Sequence, residues 1–258
     1  MLIVLSPAKT LDYATPQVSD TSTVVEFSSR SAALITLLRQ YSADDLATLM
    51  GISPALAELN KLRYRAWRKA ATQKNARAAL LAFNGDVYQG LDAPSLGVTE
   101  RAYLQMHLRI LSGLYGALRP LDLMQPYRLE MGTRLPNARG DDLYAFWGDS
   151  VTDALNRVAA EQHADALVNL ASEEYFRVVR PARLQVPVIT PVFQDWKNGQ
   201  YKVISFYAKR ARGLMTRFAA CHRIAAVDGL RDFDLDGYSF APAVSDERHW
   251  IFRRRIGD

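Results

Sequence analysis

The sequence holds a single cysteine, Cys221, among 258 residues. One thiol excludes an internal disulfide framework and any zinc or iron–sulfur centre built from several cysteines. Cys221 is expected to serve as a small buried hydrophobe. Histidine is also scarce: His107, His163, His222 and His249 are the chain's whole supply. No two of them stand three or four residues apart, so no helix face offers a histidine pair to a metal. No apolar run approaches the length that crosses a bilayer. The apolar stretch after Met1 is four residues long and lacks a basic segment before it, which is not a secretory signal. A cytoplasmic location is the expectation. No repeat, linker or low-complexity tract divides the chain, so 1–258 reads as one domain.

What the sequence does contain is globular in balance, with 49% hydrophobic and 23% charged residues. Its formal charge is +5, from 32 Lys+Arg against 27 Asp+Glu. That excess points to a polyanionic partner only if the cations are clustered.

Leu2–Leu5 reads as a buried strand, and residues 14–28 as loop. Ser31–Tyr41 has helical spacing, with Leu34, Leu37, Leu38 and Tyr41 on one face. Two helices, Asp44–Met50 and Pro54–Lys74, follow across a very short turn. Leu80–Phe83, Ile110–Leu111, Ala166–Leu170 and His249–Phe252 read as strands, and Asp141–Gln162 as a helix. Val186–Asp195 and Tyr201–Ile204 flank Lys197-Asn198-Gly199, and Asn-Gly between apolar runs signals a hairpin. Ser205–His222 reads as a helix. The hairpin argues against an all-parallel sheet. The expected fold is therefore α/β, or mixed α+β, with a mixed β-sheet flanked by helices.

The turn at Leu49-Met50-Gly51-Ile52-Ser53-Pro54 resembles a helix–hairpin–helix, in a subregion spanning about 43–75. Ser53 suits the N-cap of the second helix and Pro54 its first position. Such a turn aims backbone N–H groups at a phosphate, although Ser53 stands where a second glycine is usual. Between Pro54 and Ala82 there are seven Lys/Arg and one acid, Glu58. On a helical wheel Lys61, Arg65, Arg68 and Lys69 share a face, with Leu59, Leu62, Ala66 and Ala70 expected opposite, toward the core. From Trp196 to Val227 there are seven more Lys/Arg and no acid. There Ser205, Lys209, Arg212, Thr216 and Arg223 form a stripe, with Tyr207, Ala211, Leu214, Met215 and Phe218 expected on the core side. Two cations and a hydroxyl at such spacing can direct donors at one anion. The structural alternative for both segments is a solvated helix face.

Polar residues also gather among glycines in loops that follow strands, where a backbone can approach a ligand closely. They include Lys9, Asn84, Ser112, Tyr115, Arg119, Arg128, Glu130, Asn169 and Ser172. Lys9, Asn84, Ser112 and Asn169 closely follow strand-like runs and are expected to converge in one cleft. No Walker loop or dinucleotide fingerprint is present.

The segments SPAKTLD (6–12), FNGDVYQGL (83–91), LSGLYGALRPLDLMQPYRLEMGT (111–133), NLASEEYF (169–176) and WKNGQYKVISFYAKRARGLM (196–215) resemble those of the YaaA peroxide-stress family. The resemblance runs from Met1 to about Gly237. It implies a cytosolic bacterial protein that limits free iron under hydrogen peroxide. It also implies a family-specific fold around a positively charged cleft, with a helix–hairpin–helix and DNA binding. It supplies no catalytic mechanism.

Two functions follow as expectations. In the first, a DNA-binding stress protein holds the phosphates of double-stranded DNA or another nucleic acid through Gly51, Ser53, Lys61, Arg65, Arg68, Lys69, Ser205, Lys209 and Arg212. Iron is then lowered indirectly, and no cofactor or bound metal is expected. In the second, an enzyme acts on a nucleotide, nucleobase or nucleic acid in the polar cleft. Lys9, Tyr115 and Glu130 are its catalytic candidates.

Overall fold

A computed structural model describes residues 1–15 and 21–255. Part of the expected Ser/Thr-rich loop, at 16–20, lies outside the described residues. The chain begins with β1 (Leu2–Leu5) and β2 (Thr10–Leu11), followed by α1 (Ser28–Leu38), α2 (Ala43–Met50) and α3 (Pro54–Ala66). Short elements come next: β3 (Arg77–Ala78), α4 (Ala79–Ala82), β4 (Phe83–Asn84) and α5 (Asp86–Leu91). Then follow α6 (Val98–His107), β5 (Leu108–Ser112), β6 (Gly116–Leu118), β7 (Leu123–Met124), α7 (Leu143–Trp147) and α8 (Ser150–Glu161). The last part holds β8 (Leu167–Leu170), α9 (Glu173–Phe176), β9 (Val188–Lys197), β10 (Gln200–Lys202), α10 (Ser205–His222), β11 (Ser239–Phe240) and β12 (His249–Arg254).

The unbroken apolar run of β1 is fully buried, as a strand covered on both faces requires. It lies in parallel between β5 and β8, and β8, β9 and β12 continue the parallel set. Antiparallel β6, β10 and β11 complete an eight-stranded mixed sheet in the order β11-β12-β9-β8-β1-β5-β6, with β10 on β9. The Asn198-Gly199 turn is the expected hairpin, both residues having positive φ.

This order creates a switch point. From β1 the chain travels to β5 on one side and later returns to β8 on the other. Crevices open at the carboxyl ends of parallel strands where connectivity reverses in this way. The crevice here falls between Ser6, after β1, and Ser172, after β8.

Helices α5 and α10 approach along glycines. A Cβ on Gly213 would stand 1.8 Å from the carbonyl oxygen of Val87, and one on Gly90 would stand 2.2 Å from that of Arg210. The two backbones therefore touch, and each helix presents polar residues to the crevice.

The α2–α3 pair forms with the expected turn, but its second helix departs from the sequence reading. It ends at Ala66 rather than Lys74, because Trp67 turns extended at φ −56, ψ 139. Its buried stripe is Ala57, Asn60 and Tyr64, leaving Leu59 and Leu62 in solvent at 43% and 53% exposure. The aromatics displace the leucines because each also finds a polar partner. Tyr64 donates its hydroxyl hydrogen bond to the Arg128 carbonyl, and Trp67 Nε1 donates to the Tyr115 hydroxyl at 3.0 Å.

Other boundaries shift as well. Residues 80–83 form one helical turn running into a short strand, and 141–162 split into α7 and α8 around Gly148. Residues 98–107, unassigned from sequence, form α6. On α10, Tyr207 is 37% exposed while Thr216 is fully buried and donates to the Arg212 carbonyl. Arg223 is the left-handed C-cap, so the expected stripe contracts to Ser205, Lys209 and Arg212. Cys221 is exposed near the end of α10 and is not a core residue.

Candidate functional site

A cleft of about 510 Å³ occupies the switch point. Ser6 and Lys9 reach it from the loop after β1, Thr10 from the start of β2, Asn84 from the end of β4, and Asp86 and Tyr88 from α5. Tyr127, Arg128 and Glu130 form another wall, followed by Ser172, Glu174 and Tyr175 around α9, and Lys209 and Arg212 on α10.

Hydrogen bonds fix the frame. The Ser6 hydroxyl accepts the Ser172 amide at 2.8 Å, while Tyr88 donates its hydroxyl to the Ser6 carbonyl at 3.0 Å. Ser172 caps α9, and Asn169 Oδ1 accepts the Ala171 amide at 3.0 Å, shaping the loop between strand and cap. Beneath the cleft, Ser112 Oγ and the Tyr127 hydroxyl are 2.6 Å apart, and Ser112 also accepts the Tyr115 amide. Burial raises the Tyr127 phenol above its ordinary value. It therefore keeps its proton and acts as a neutral hydrogen-bonding wall.

The charges divide into spent and unspent groups. Glu130 is held between Lys9 Nζ at 3.0 Å and Arg128 Nη2 at 2.9 Å. Glu174 accepts the Gly132 amide at 3.0 Å. By contrast, Lys209 and the half-buried Arg212 have no ion pair or side-chain hydrogen bond among the described residues. Desolvation lowers the Arg212 guanidinium below its ordinary pKa, with Glu173 opposing the shift. Arg128 Nε is likewise buried without a partner among the described residues. A desolvated guanidinium lacking an acceptor gains strongly from a phosphate or carboxylate, which supplies both charge and oxygen lone pairs.

Five of the nine predicted cleft residues line it: Lys9, Asn84, Arg128, Glu130 and Ser172. Lys209 and Arg212 join them from the basic stripe. Ser112 and Asn169 support the cleft from below and behind rather than lining it. Tyr115 is sealed in the core, where burial pushes its phenol up to about 12, so it does not face the cleft as an acid or base. Arg119 is taken up by the buried Asp122 at 2.9 Å and by the Val24 carbonyl.

The α2–α3 residues serve largely local ends. Gly51 takes φ +60 as the C-cap of α2, and its N–H and that of Ile52 both go to the Ala47 carbonyl. Ser53 accepts the Leu56 amide. Arg68, past the end of α3, donates to the carbonyls of Arg65, Ala66 and Trp67, and Arg39 reinforces this cap. Cations belong at that negative helix end. Lys61 is half-buried, whereas Arg65, Lys69 and Ser205 are exposed. Ser6, Asp86, Tyr88, Tyr127 and Glu174 were not singled out from sequence, although each lies in or beside a segment that was.

Among the described residues, no three His, Cys, Asp or Glu side chains gather as metal ligands, and no helix is long and apolar enough to cross a membrane.

A family model described as "Peroxide stress protein YaaA" matches residues 1–244. The chain belongs to the YaaA peroxide-stress family. It is similar to a UPF0246 protein of Janthinobacterium sp. (strain Marseille), 64% identical over 257 residues and covering all of both chains. A UPF0246 protein of Ralstonia pickettii (strain 12J) is 61% identical over 256 residues, 99% of this chain and 100% of the relative. That of Burkholderia cenocepacia (strain HI2424) is 56% identical over 260 residues, covering both chains completely. All five segments that resemble the YaaA family meet at the cleft: 6–12 supplies Lys9, 83–91 Asn84, 111–133 Arg128 and Glu130, 169–176 Ser172, and 196–215 Lys209 and Arg212.

Proposed function

We propose that this chain serves the hydrogen-peroxide response by binding DNA through its phosphates, with the cleft at the β1–β8 switch point as the principal phosphate site. Free iron is lowered as a consequence of that action, not by storage in this protein. The carrying observation is Arg212, a desolvated guanidinium on the cleft wall with no acceptor among the described residues, one helical turn from the similarly free Lys209. The exposed Arg65 and Lys69 add diffuse attraction on the α3 side. That side reaches the cleft wall through the bond from Tyr64 to the Arg128 carbonyl. The helix–hairpin–helix-like turn contributes less than its sequence suggests, since its first free amides are consumed by Ala47. The test is a titration of labelled duplex at several salt concentrations. Affinity should fall steeply with salt and vary little with sequence. Absence of binding, or binding indifferent to salt, contradicts the proposal.

A second reading, an enzyme acting on a nucleotide, draws support from Glu130. This carboxylate lies on the cleft wall between Lys9 and Arg128, where the two cations hold it in place and it can accept a hydrogen bond that orients a substrate. Incubating the protein with a panel of nucleotides and separating the products tests it. Unchanged nucleotides throughout would contradict it.

A further inference from the structure

The β9–β10 hairpin takes no part in the cleft, yet the sheet carries it to the cleft's mouth. β9 has β12 along one edge. Along the other it pairs with β8 as far as Ile189, and then with β10 from Asp195 to Lys197. β10 therefore occupies the sheet position beyond the carboxyl end of β8. The registers set the height. Leu5 and Leu170 are partners, and continuing the pairing of β8 with β9 brings Pro191 to their level. From Pro191, β9 runs six residues further to Lys197, about 20 Å at the rise of a strand. The hairpin thus rises beside the crevice mouth, on the side where Ser172 caps α9.

Its two lysines lie on the face that α10 covers. Side chains alternate along a strand, so Lys197 shares a face with Asp195, and Lys202 is the cross-strand partner of Asp195. Asp195 binds Arg254, whose guanidinium stacks on Tyr207 of α10 at 4.5 Å. Lys197 and Lys202 are therefore on the side of the sheet that also holds Lys209 and Arg212. Lys197 is exposed and Lys202 half-buried, and neither has an ion pair or side-chain hydrogen bond among the described residues. Only Val203 and Ile204 separate Lys202 from α10, and Lys209 lies about 6 Å further along the helix axis. No acid interrupts this path. The sequence holds none from Trp196 to Val227, and Asp195 is buried and matched by Arg254.

We propose that Lys202 and Lys197 continue the phosphate track of a DNA duplex from the cleft onto the β9–β10 hairpin, so that one duplex lies against both surfaces. This rests on the phosphate-binding reading above and adds a second surface and the direction in which the duplex runs. The partner is a polyanion because of the spread of the cations. A single phosphate or a free nucleotide at Arg212 leaves the hairpin untouched. A duplex carries one charge per about 1.7 Å of axis, so cations placed in line with the first contact find further phosphates.

The experiment measures log K against log salt for a labelled duplex with the parent and three variants, each checked by its melting curve. Lys197→Gln combined with Lys202→Gln should bind more weakly and lower the slope by about 1.8, the loss of two phosphate contacts. Lys197→Arg combined with Lys202→Arg keeps the charges and should keep the parent's slope. Arg248→Met removes an exposed charge near the amino end of β12, at the opposite end of the sheet, and should also keep that slope. A parental slope in the glutamine pair overturns the inference, and if Arg212→Met still lowers the slope the cleft remains the phosphate site. An equal loss per charge from Arg248→Met overturns it in favour of a net-charge effect. A loss that persists in the arginine pair overturns it in favour of a disturbed hairpin. No binding by the parent overturns this inference and the function it rests on together.

Discussion

Ser6 and Ser172, 166 residues apart in sequence, join the ends of β1 and β8: the Ser6 hydroxyl accepts the Ser172 amide at 2.8 Å and lies 3.3 Å from its hydroxyl. The bond closes the switch-point crevice at its base and sets the N-cap of α9. Ser6→Ala should leave that partly buried amide without an acceptor, costing about 1–3 kcal/mol by chemical denaturation and weakening DNA binding. Unchanged stability would show that the two strand ends are held without it.

The cleft wall depends on the close approach of α5 and α10. Gly213→Ala places a methyl group against the Val87 carbonyl, which backbone cannot yield without separating the helices. The expected loss is about 1–3 kcal/mol, with a larger proportional loss of DNA binding because Lys209 and Arg212 shift with α10. Denaturation curves paired with binding titrations check both halves.

Gly51 is needed for its backbone and not for space. It adopts φ +60, and a Cβ there would meet nothing within 4 Å. Gly51→Val should therefore cost about 1–3 kcal/mol through backbone strain, while Gly51→Asn, more tolerant of that conformation, should cost less. If both variants bind DNA as the parent does, the turn makes no close approach to phosphate.

His107 gives a pH dependence. Its Nδ1 meets the Met1 carbonyl at 3.0 Å, and burial holds its pKa below the ordinary 6.5. The unfolded chain therefore takes up this proton first as pH falls. The native state keeps the full contribution above about 6.5 and loses it progressively from there down toward the folded value. His107→Gln should flatten the fall in melting temperature between pH 7.5 and 5.5. Parallel curves for parent and variant would exclude His107 as the source.

Much of the frame was legible because local chemistry decided it. The apolar run 2–5, the Asn198-Gly199 hairpin and the span of α10, though not all of its faces, followed from patterns that tertiary packing did not override. The cleft was legible in part: Lys9, Asn84, Arg128, Glu130 and Ser172 were picked out as polar residues in loops after strands. Ser112 and Tyr115 misled because a polar residue among glycines can as well be a buried support, and both turn inward to bond Tyr127, Trp67 or backbone. The face of α3 was misread because leucine outranks tyrosine by hydropathy alone. Tyr64 and Trp67 win the core by combining large rings with satisfied polar tips. Nothing in the spacing of Arg68 distinguished a phosphate ligand from a cap on its own helix.

The central claim is that a phosphate sits against Arg212. The most direct measurement is the affinity of labelled DNA for the parent and for Arg212→Met across a series of salt concentrations. The account predicts weaker binding at every salt and a slope of log K against log salt reduced by about 0.7 to 0.9, the loss of one phosphate contact. A well-folded Arg212→Met protein that binds with the parent's affinity and slope would contradict it.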